Sequence, residues 1–214
     1  MKQKNISKED FDALSKVERL NLINSVSGYK SAHLLGTKSS SGQTNLAVFN
    51  SVVHLGSDPA MITFTLRPLT VERHSFENLK TMEYFTLNAI SENITAKAHL
   101  TSGNFPKEIS EFEHSGLTPE YLKGFYAPYV QESPIKIGCK FLNSYLIKEN
   151  GCLVIVAAIE EIHIDENMLL DDYWVRLDKG KVVAINGIDG YALPQLLDRY
   201  YYVRSTATEV ESKL

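Results

Sequence analysis

Gly42-Gln43-Thr44-Asn45-Leu46-Ala47-Val48-Phe49-Asn50-Ser51 reads as a turn feeding a β-strand, and Ser57-Asp58-Pro59-Ala60 reads as the turn that follows it. Beyond that turn, Ile62, Phe64 and Leu66 share one face and Thr63 and Thr65 the other, the period-two pattern of a half-buried strand. Working outward, 31–38 reads as a short strand before the Ser39-Ser40-Ser41-Gly42 turn, and 45–55 as one strand after it. Further strands are expected at 84–90, 135–141, 152–164 and 181–186. In 135–141, Ile135, Ile137, Cys139 and Phe141 alternate with Lys136 and Lys140, so one face is wet and Cys139 falls on the apolar one. The run 152–164 begins apolar on both faces and ends alternating; His163, between Ile162 and Ile164, is expected to face solvent.

Short helices punctuate the strands. Ser7 suits an N-cap, Glu9 and Asp10 sit in the first turn, and Phe11, Leu14, Val17 and Leu20 recur at helical spacing, predicting one helix over 7–24. Others are expected at 75–82, 91–98 and 108–114, and at 118–124, where Thr118, Pro119 and Gly124 carry start and stop signals. A last helix is expected at 191–202. No linker, repeat or low-complexity tract interrupts the chain, so 1–214 is expected to form one domain: the N-terminal helix, a barrel core at about 31–187 and a helical tail at 190–214. The expected class is mainly β, a β-barrel with peripheral helices.

Composition narrows the function classes. A chain of 214 residues can bury a substantial core. Its net charge of −4 argues against a general nucleic-acid partner. No apolar run reaches the ~18 residues of a membrane span, so no membrane partner is expected. The opening Met1-Lys2-Gln3-Lys4-Asn5 carries no apolar signal region, and Cys139 and Cys152 form no disulfide or metal pattern, so a reducing cytoplasm is the expected compartment. The six histidines show no ligating spacing, and no metal is expected.

Two places have the chemistry of a ligand seat. Arg73-His74-Ser75 precedes Phe76-Glu77-Asn78-Leu79; with Ser75 as N-cap, its hydroxyl, the free first-turn N–H groups, the helix dipole and Arg73 would converge on one anion. Asn45-Leu46-Ala47 offers small bulk and exposed backbone to a flat ligand, and Asn50-Ser51 lies further along the same strand. Taken locally, the same residues also fit an ordinary cap, a solvated arginine and a barrel strand with wet polar ends. His54 fits a ligand edge or the barrel surface, and Trp174 and Tyr200-Tyr201-Tyr202 fit a ligand mouth or a subunit contact. No acid–base pair for catalysis stands out.

In order and spacing, these stretches resemble the flavin reductase-like FMN-binding split-barrel family, its flavoredoxin-like branch in particular. That family shows Gly-x-x-Asn-x-Ala-Pro-x-Ser/Asn, then Ser-Asp-Pro-Pro, then Lys/Arg-Asp-Thr-x-x-Asn. Here Val48 and Ala60 stand at the proline positions and His74 at the aspartate. Glu111-Phe112-Glu113-His114-Ser115-Gly116-Leu117-Thr118, Glu132-Ser133-Pro134, Cys139-Lys140-Phe141 and Asp189-Gly190-Tyr191 extend the similarity. The resemblance implies a Greek-key split barrel and FMN as cofactor. Arg73 and Ser75 would hold its phosphate beside His74, with Asn45, Leu46, Ala47, Asn50 and Ser51 along the ring and ribityl chain. It also implies a homodimer, with the tyrosine run at the contact. The implied activity is that of an oxidoreductase of flavin reductase type, passing electrons to or from a small molecule; the alternative is a non-catalytic electron-transfer or flavin-carrier module. Two-component flavin reductases often carry Gly-Asp-His before the long buried strand; here that place reads Glu149-Asn150-Gly151-Cys152, which argues against NAD(P)H use.

Overall fold

Two capped helices, α1 (Lys8–Ala13) and α2 (Lys16–Val26), open the chain. β1 (Lys30–Ser31), β2 (His33–Lys38), β3 (Thr44–Phe49), β4 (Val53–Ser57) and β5 (Ala60–Leu66) follow, then α3 (His74–Met82) and β6 (Tyr84–Ala89). After α4 (Thr95–Leu100) and α5 (Glu111–Ser115) come β7 (Pro119–Glu120) and β8 (Tyr129–Val130). The long β9 (Ile135–Leu146) and β10 (Leu153–Ile164) precede β11 (Ala184–Asn186) and β12 (Gly190–Ala192). The structure is a computed structural model and describes residues 2–70, 73–204 and 209–214.

Chain length forces the shape of the main sheet. Its seven strands lie in the order β3-β2-β6-β9-β10-β5-β4, every neighbouring pair antiparallel. β3 and β4 are thus opposite edges, yet only residues 50–52 join them. Flat, a sheet of this width would hold its edge strands about 29 Å apart. The link spans at most about 15 Å. The sheet must therefore curl, and it does: Phe49 of β3 packs edge-on against Phe64 of β5, ring centroids 5.3 Å apart, and Phe64 against Phe85 of β6 at 5.7 Å. The edges face without pairing, an open barrel of Greek-key type. The single strand expected over 45–55 is consequently two strands, broken where the chain crosses the barrel.

Apolar side chains fill both faces of the curled sheet. Leu35, Phe64, Phe85, Leu87, Cys139 and Ile155 meet inside, and α3 closes one mouth with Phe76 and Leu79. Leu34 and Leu46 point outward into a second cluster with Ile94, Ala98, Phe112 and Ile185. Each such buried side chain stabilises the fold by roughly 1.5–3 kcal/mol. Polar bonds fix elements against one another: Asn78 Nδ2 of α3 donates to Thr37 Oγ1 of β2 at 3.0 Å, and Asn88 of β6 donates to the Leu34 carbonyl while accepting the Val130 N–H of β8. The segment before β8 lies so close to the sheet that a side chain at Gly36 would strike the Pro128 carbonyl, and one at Gly138 the Tyr129 hydroxyl.

Several local expectations yield to longer-range contacts. The helix over 7–24 breaks at Leu14, because Ser15 and Glu18 form a second capping box after that of Ser7 and Asp10. No helix forms over 118–124: the Glu132 carboxylate takes the Thr118 N–H, and Pro119 and Glu120 pair with Val130 and Tyr129. Nor is the tail at 190–214 helical among its described residues. Tyr191 pairs with Ile185, and Pro194 holds Leu193 extended and offers no N–H; residues 205–208 of that tail lie outside the described residues. His163 is turned inward, because a register shift between Ile159 and Glu161 reverses the alternation and leaves Ile162 51% exposed. His163 Nε2 lies 2.9 Å from Glu161 Oε1, which also accepts the Tyr129 hydroxyl at 2.6 Å. Cys139 and Cys152 are free thiols. Among the described residues, no helix is long and apolar enough to cross a membrane.

His33, at the start of β2, generates a pH dependence. Part of the residue reaches solvent, but its Nδ1 is sealed and unpartnered, and burial lowers its pKa from the ordinary 6.5 to about 4. The fold thus favours neutral imidazole. Stability should be complete above pH 6.5 and decline as pH falls towards 4. Urea unfolding across that window should show a loss of up to about 3 kcal/mol, flattened in His33→Gln. A wild-type midpoint that does not move would contradict this assignment.

Candidate functional site

The start of α3 is built differently from a serine-capped helix. Arg73 occupies the N-cap position without a side-chain capping bond, and Ser75 is the second helical residue. Its hydroxyl turns inward and accepts a 2.9 Å hydrogen bond from Asn45 Nδ2 of β3, both residues being buried. The Phe76 and Glu77 N–H groups bond to the Arg73 carbonyl, at 2.9 and 3.1 Å. Those of His74 and Ser75 have no intrahelical acceptor, as helix geometry requires. Ser75 therefore does not cap the helix; it fixes the helix end against β3, and the first-turn N–H groups and the helix dipole remain directed outward.

Two arginines flank that helix end. Arg73 Nε is sealed from solvent and has no hydrogen-bond partner. Burial, and next the nearby Arg67 guanidinium, push the Arg73 pKa below its usual value. Among the described residues neither arginine has a salt bridge, and the two like charges lie near each other. Such a pair is most stable with an anion present. Arg67, which directly follows β5, is absent from the sequence-predicted site; its signal was a second cation six residues before Arg73, across a loop containing Pro68.

Along β3 the predicted residues separate by face. Asn45 and Ala47 lie on one side of the strand. The Leu46 side chain lies on the other, fully buried in the outer cluster. Its N–H points off the open edge of β3 but is occupied, donating to Glu111 Oε2 at 3.0 Å. Leu46 is thus a packing residue, and its amide is not free for a ligand. Asn50 and Ser51 hold the crossing to β4: Asn50 Nδ2 donates to the Gly187 carbonyl at 3.2 Å, and Ser51 Oγ both donates to the Thr65 carbonyl and accepts the Thr65 N–H. The structure therefore joins Asn45 and Ser75 directly, sets Arg73 and His74 beside them, and places Asn50 and Ser51 about 16 Å further along the strand.

Glu111, the first residue of α5, was visible in the sequence only as part of a motif. It is buried, and burial raises its carboxyl pKa against the opposing Leu46 N–H bond and the charges of His74 and His114. The side chains of Thr44 and Ser110 bond at 2.7 Å beside it, completing the attachment of α5 to β3.

The Asn45–Ser75 bond should be measurable as a coupling. Removing either partner leaves the other buried and unsatisfied, so Asn45→Ala and Ser75→Ala should each cost about 1–3 kcal/mol. The double variant should be less destabilised than the sum of the two by ~1 kcal/mol in chemical unfolding. Strict additivity would show that the two side chains do not depend on each other.

The fold recurs in known proteins. A flavin reductase candidate with a split-barrel domain from Shewanella frigidimarina NCIMB 400 is 38% identical, with a TM-score of 0.91 over 94% of this chain and 100% of its own. Flavoredoxin of Desulfovibrio vulgaris (Miyazaki F) superposes with a TM-score of 0.70 at 19% identity, over 97% of this chain and 99% of its own. An FMN-binding protein from Thermus thermophilus gives a TM-score of 0.66 at 12% identity, over 78% and 87%. The model of the flavin reductase like domain matches residues 29–177, from the start of β1 past the end of β10. A curled barrel whose mouth is closed by α3, matched over this span, makes the chain a member of the flavin reductase-like family with the split-barrel fold.

Proposed function

We propose that this protein binds FMN and is an oxidoreductase of flavin reductase type, exchanging electrons with a small molecule. The observation that supports the reading is the pair Arg67 and Arg73, close to each other, without a salt bridge among the described residues, beside the helix end where the first N–H groups lack intrahelical acceptors. Arg73 is only partly buried, and a guanidinium bonds phosphate oxygens strongly through its N–H groups. FMN is elongated, with its phosphate at one end of the ribityl chain and its ring at the other. The seat at α3 and the Asn50–Ser51 crossing, at opposite ends of β3, match that length and polarity.

Bound flavin supplies the redox chemistry itself. The protein's share is positioning. Arg73, Arg67 and the first turn of α3 neutralise the phosphate. The Asn45–Ser75 bond keeps that turn against the strand, and Ala47, partly exposed, adds little bulk beside it. The β9–β10 turn, where Asn150 Oδ1 accepts the Cys152 N–H, carries no histidine for a nicotinamide site. A carrier that receives electrons from another protein is therefore the second reading.

The working form is a homodimer in the same proposal, in the cytoplasm as the free cysteines favour. The first half of β10 is apolar on both faces, and its alternate residues Val154, Val156 and Ala158 are only half-buried. Beside it Val53, Leu142 and Tyr145 stand 58%, 50% and 57% exposed. That surface runs to Thr65 and Ser51, at the ring end of the seat, so a second copy would bury it and cover the flavin together. Tyr200, Tyr201 and Tyr202 are exposed on the tail and available to the same contact.

The purified protein should show flavin absorption near ~450 nm when loaded with FMN. Arg73→Ala should weaken FMN binding about ten-fold or more and leave riboflavin nearly unchanged. Equal losses for both flavins would place Arg73 outside the phosphate contact. Anaerobic NADH or NADPH should bleach the bound flavin rapidly if the protein is a reductase; an unchanged spectrum favours the carrier. Light scattering should give twice the monomer mass, with flavin lost on dilution. A monomer that keeps its flavin would overturn the dimer.

A further inference from the structure

The loop after β10 and the end of the chain build a second cleft, which shares no residue with the α3 seat. The Leu170 N–H donates to the Trp174 carbonyl at 3.0 Å and the Tyr173 N–H to the Leu170 carbonyl at 2.9 Å, a tight turn with Asp171 and Asp172 at its tip. Against it, two stretches of the tail run side by side. The Tyr201 N–H donates to the Glu211 carbonyl at 3.0 Å, and the Lys213 N–H to the Arg199 carbonyl at 2.6 Å. Arg199 ties turn and tail together. Its guanidinium lies 4.5 Å from the Trp174 ring centroid, with Nη1 2.7 Å from Asp172 Oδ2; Asp172 Oδ1 accepts the Trp174 N–H at 3.2 Å. Turn and tail enclose an open cleft of about 440 Å³, within the ordinary range for small-molecule sites.

Two carboxylates and two cations line this cleft, and the protein pairs only half of that charge. Asp172 is committed to Arg199. Among the described residues Asp171 has neither an ion pair nor a hydrogen bond. Lys213 Nζ lies 4.8 Å over the Tyr201 ring and has no carboxylate partner among the described residues. Arg199 spends one nitrogen on Asp172, so other donors of its fork remain open, and stacking on Trp174 holds the fork in place. Leu169 and Leu170 add an apolar part to the same lining, 39% and 38% exposed.

A ligand carrying one charge would leave either Asp171 or Lys213 unpaired as it displaced water. A zwitterion with an apolar body meets all of these groups at once. We propose that this cleft is a binding site for an apolar α-amino acid. The ligand carboxylate lies on Lys213 and the open donors of Arg199, its ammonium on Asp171, and its side chain on Leu169, Leu170 and the Tyr201 ring. Tyr201, which the sequence left between a ligand mouth and a subunit contact, is then part of a mouth. This site stands apart from the flavin phosphate reading and does not rest on it.

Saturation-transfer NMR on the whole protein tests the assignment with three probes. L-Phenylalanine carries both charges, 3-phenylpropionate only the carboxylate and 2-phenylethylamine only the ammonium. Phenylalanine should bind at about 1 mM, and each analogue about ten-fold more weakly or less. Asp171→Asn should weaken phenylalanine about ten-fold and leave 3-phenylpropionate unchanged; Lys213→Gln should weaken phenylalanine and leave 2-phenylethylamine unchanged. Both substituted side chains are exposed, so the melting temperature should not move. Arg73→Ala should leave phenylalanine binding intact. Equal binding of the three probes, or no transfer to phenylalanine at millimolar concentration, overturns the site. Phenylalanine binding that is lost in Arg73→Ala and kept in Asp171→Asn also overturns it, by placing the ligand at α3.

Discussion

Three residues join the two edges of a seven-stranded sheet, and the rest of the structure follows from that short link. A flat sheet is excluded by chain length, so the strands curl and an interior appears. Phe49, Phe64 and Phe85 fill it in successive edge-on contacts. An open barrel needs a cover at its mouth, and α3 supplies one through Phe76 and Leu79. Once its apolar face is committed inward, the N-terminus of α3 is fixed at the rim beside β3. The proposed anion seat is thus a consequence of how the barrel is closed.

Polar groups then convert a packed helix into an aimed one. Asn78 bonds to Thr37 of β2 and Ser75 accepts from Asn45 of β3, so two side chains a turn apart pin the helix to adjacent strands. Neither bond contributes much net stability, but each is expensive to leave half made, which makes the orientation specific. On the open edge of β3, Glu111 and Ser110 do the same for α5. Arg67 and Arg73, without a salt bridge among the described residues, carry the proposed function.

Patterns that depend on one strand or one turn were legible in the sequence. Ile62, Phe64 and Leu66 are buried as their alternation requires, and Arg73, His74 and Ser75 do open a helix. The second capping box, Ser15 with Glu18, was also present but was overrun by the apolar spacing of Val17 and Leu20, neither of which is buried. Features set by distant partners were not legible. The break between β3 and β4 reflects where the barrel closes. The extended 118–124 segment depends on Glu132, and the inward turn of His163 on a bulge three residues earlier. Within the site, the residue types were readable and their directions were not. Leu46 turned out to pack the outer cluster and to give its amide to Glu111. Ser75 turned out to bond sideways to Asn45. Arg67 and Glu111 enter only when β5 and α5 are folded against α3 and β3.

The central claim is that the rim formed by α3, Arg67 and Arg73 receives a flavin phosphate. A crystal structure of the protein grown with FMN tests this most directly. The phosphate oxygens should lie within hydrogen-bond distance of the Arg73 guanidinium and the Ser75 N–H, with the ring running along β3 towards Asn50. An ordered FMN whose phosphate lies away from α3, with Arg73 Nε still partnerless, would contradict it.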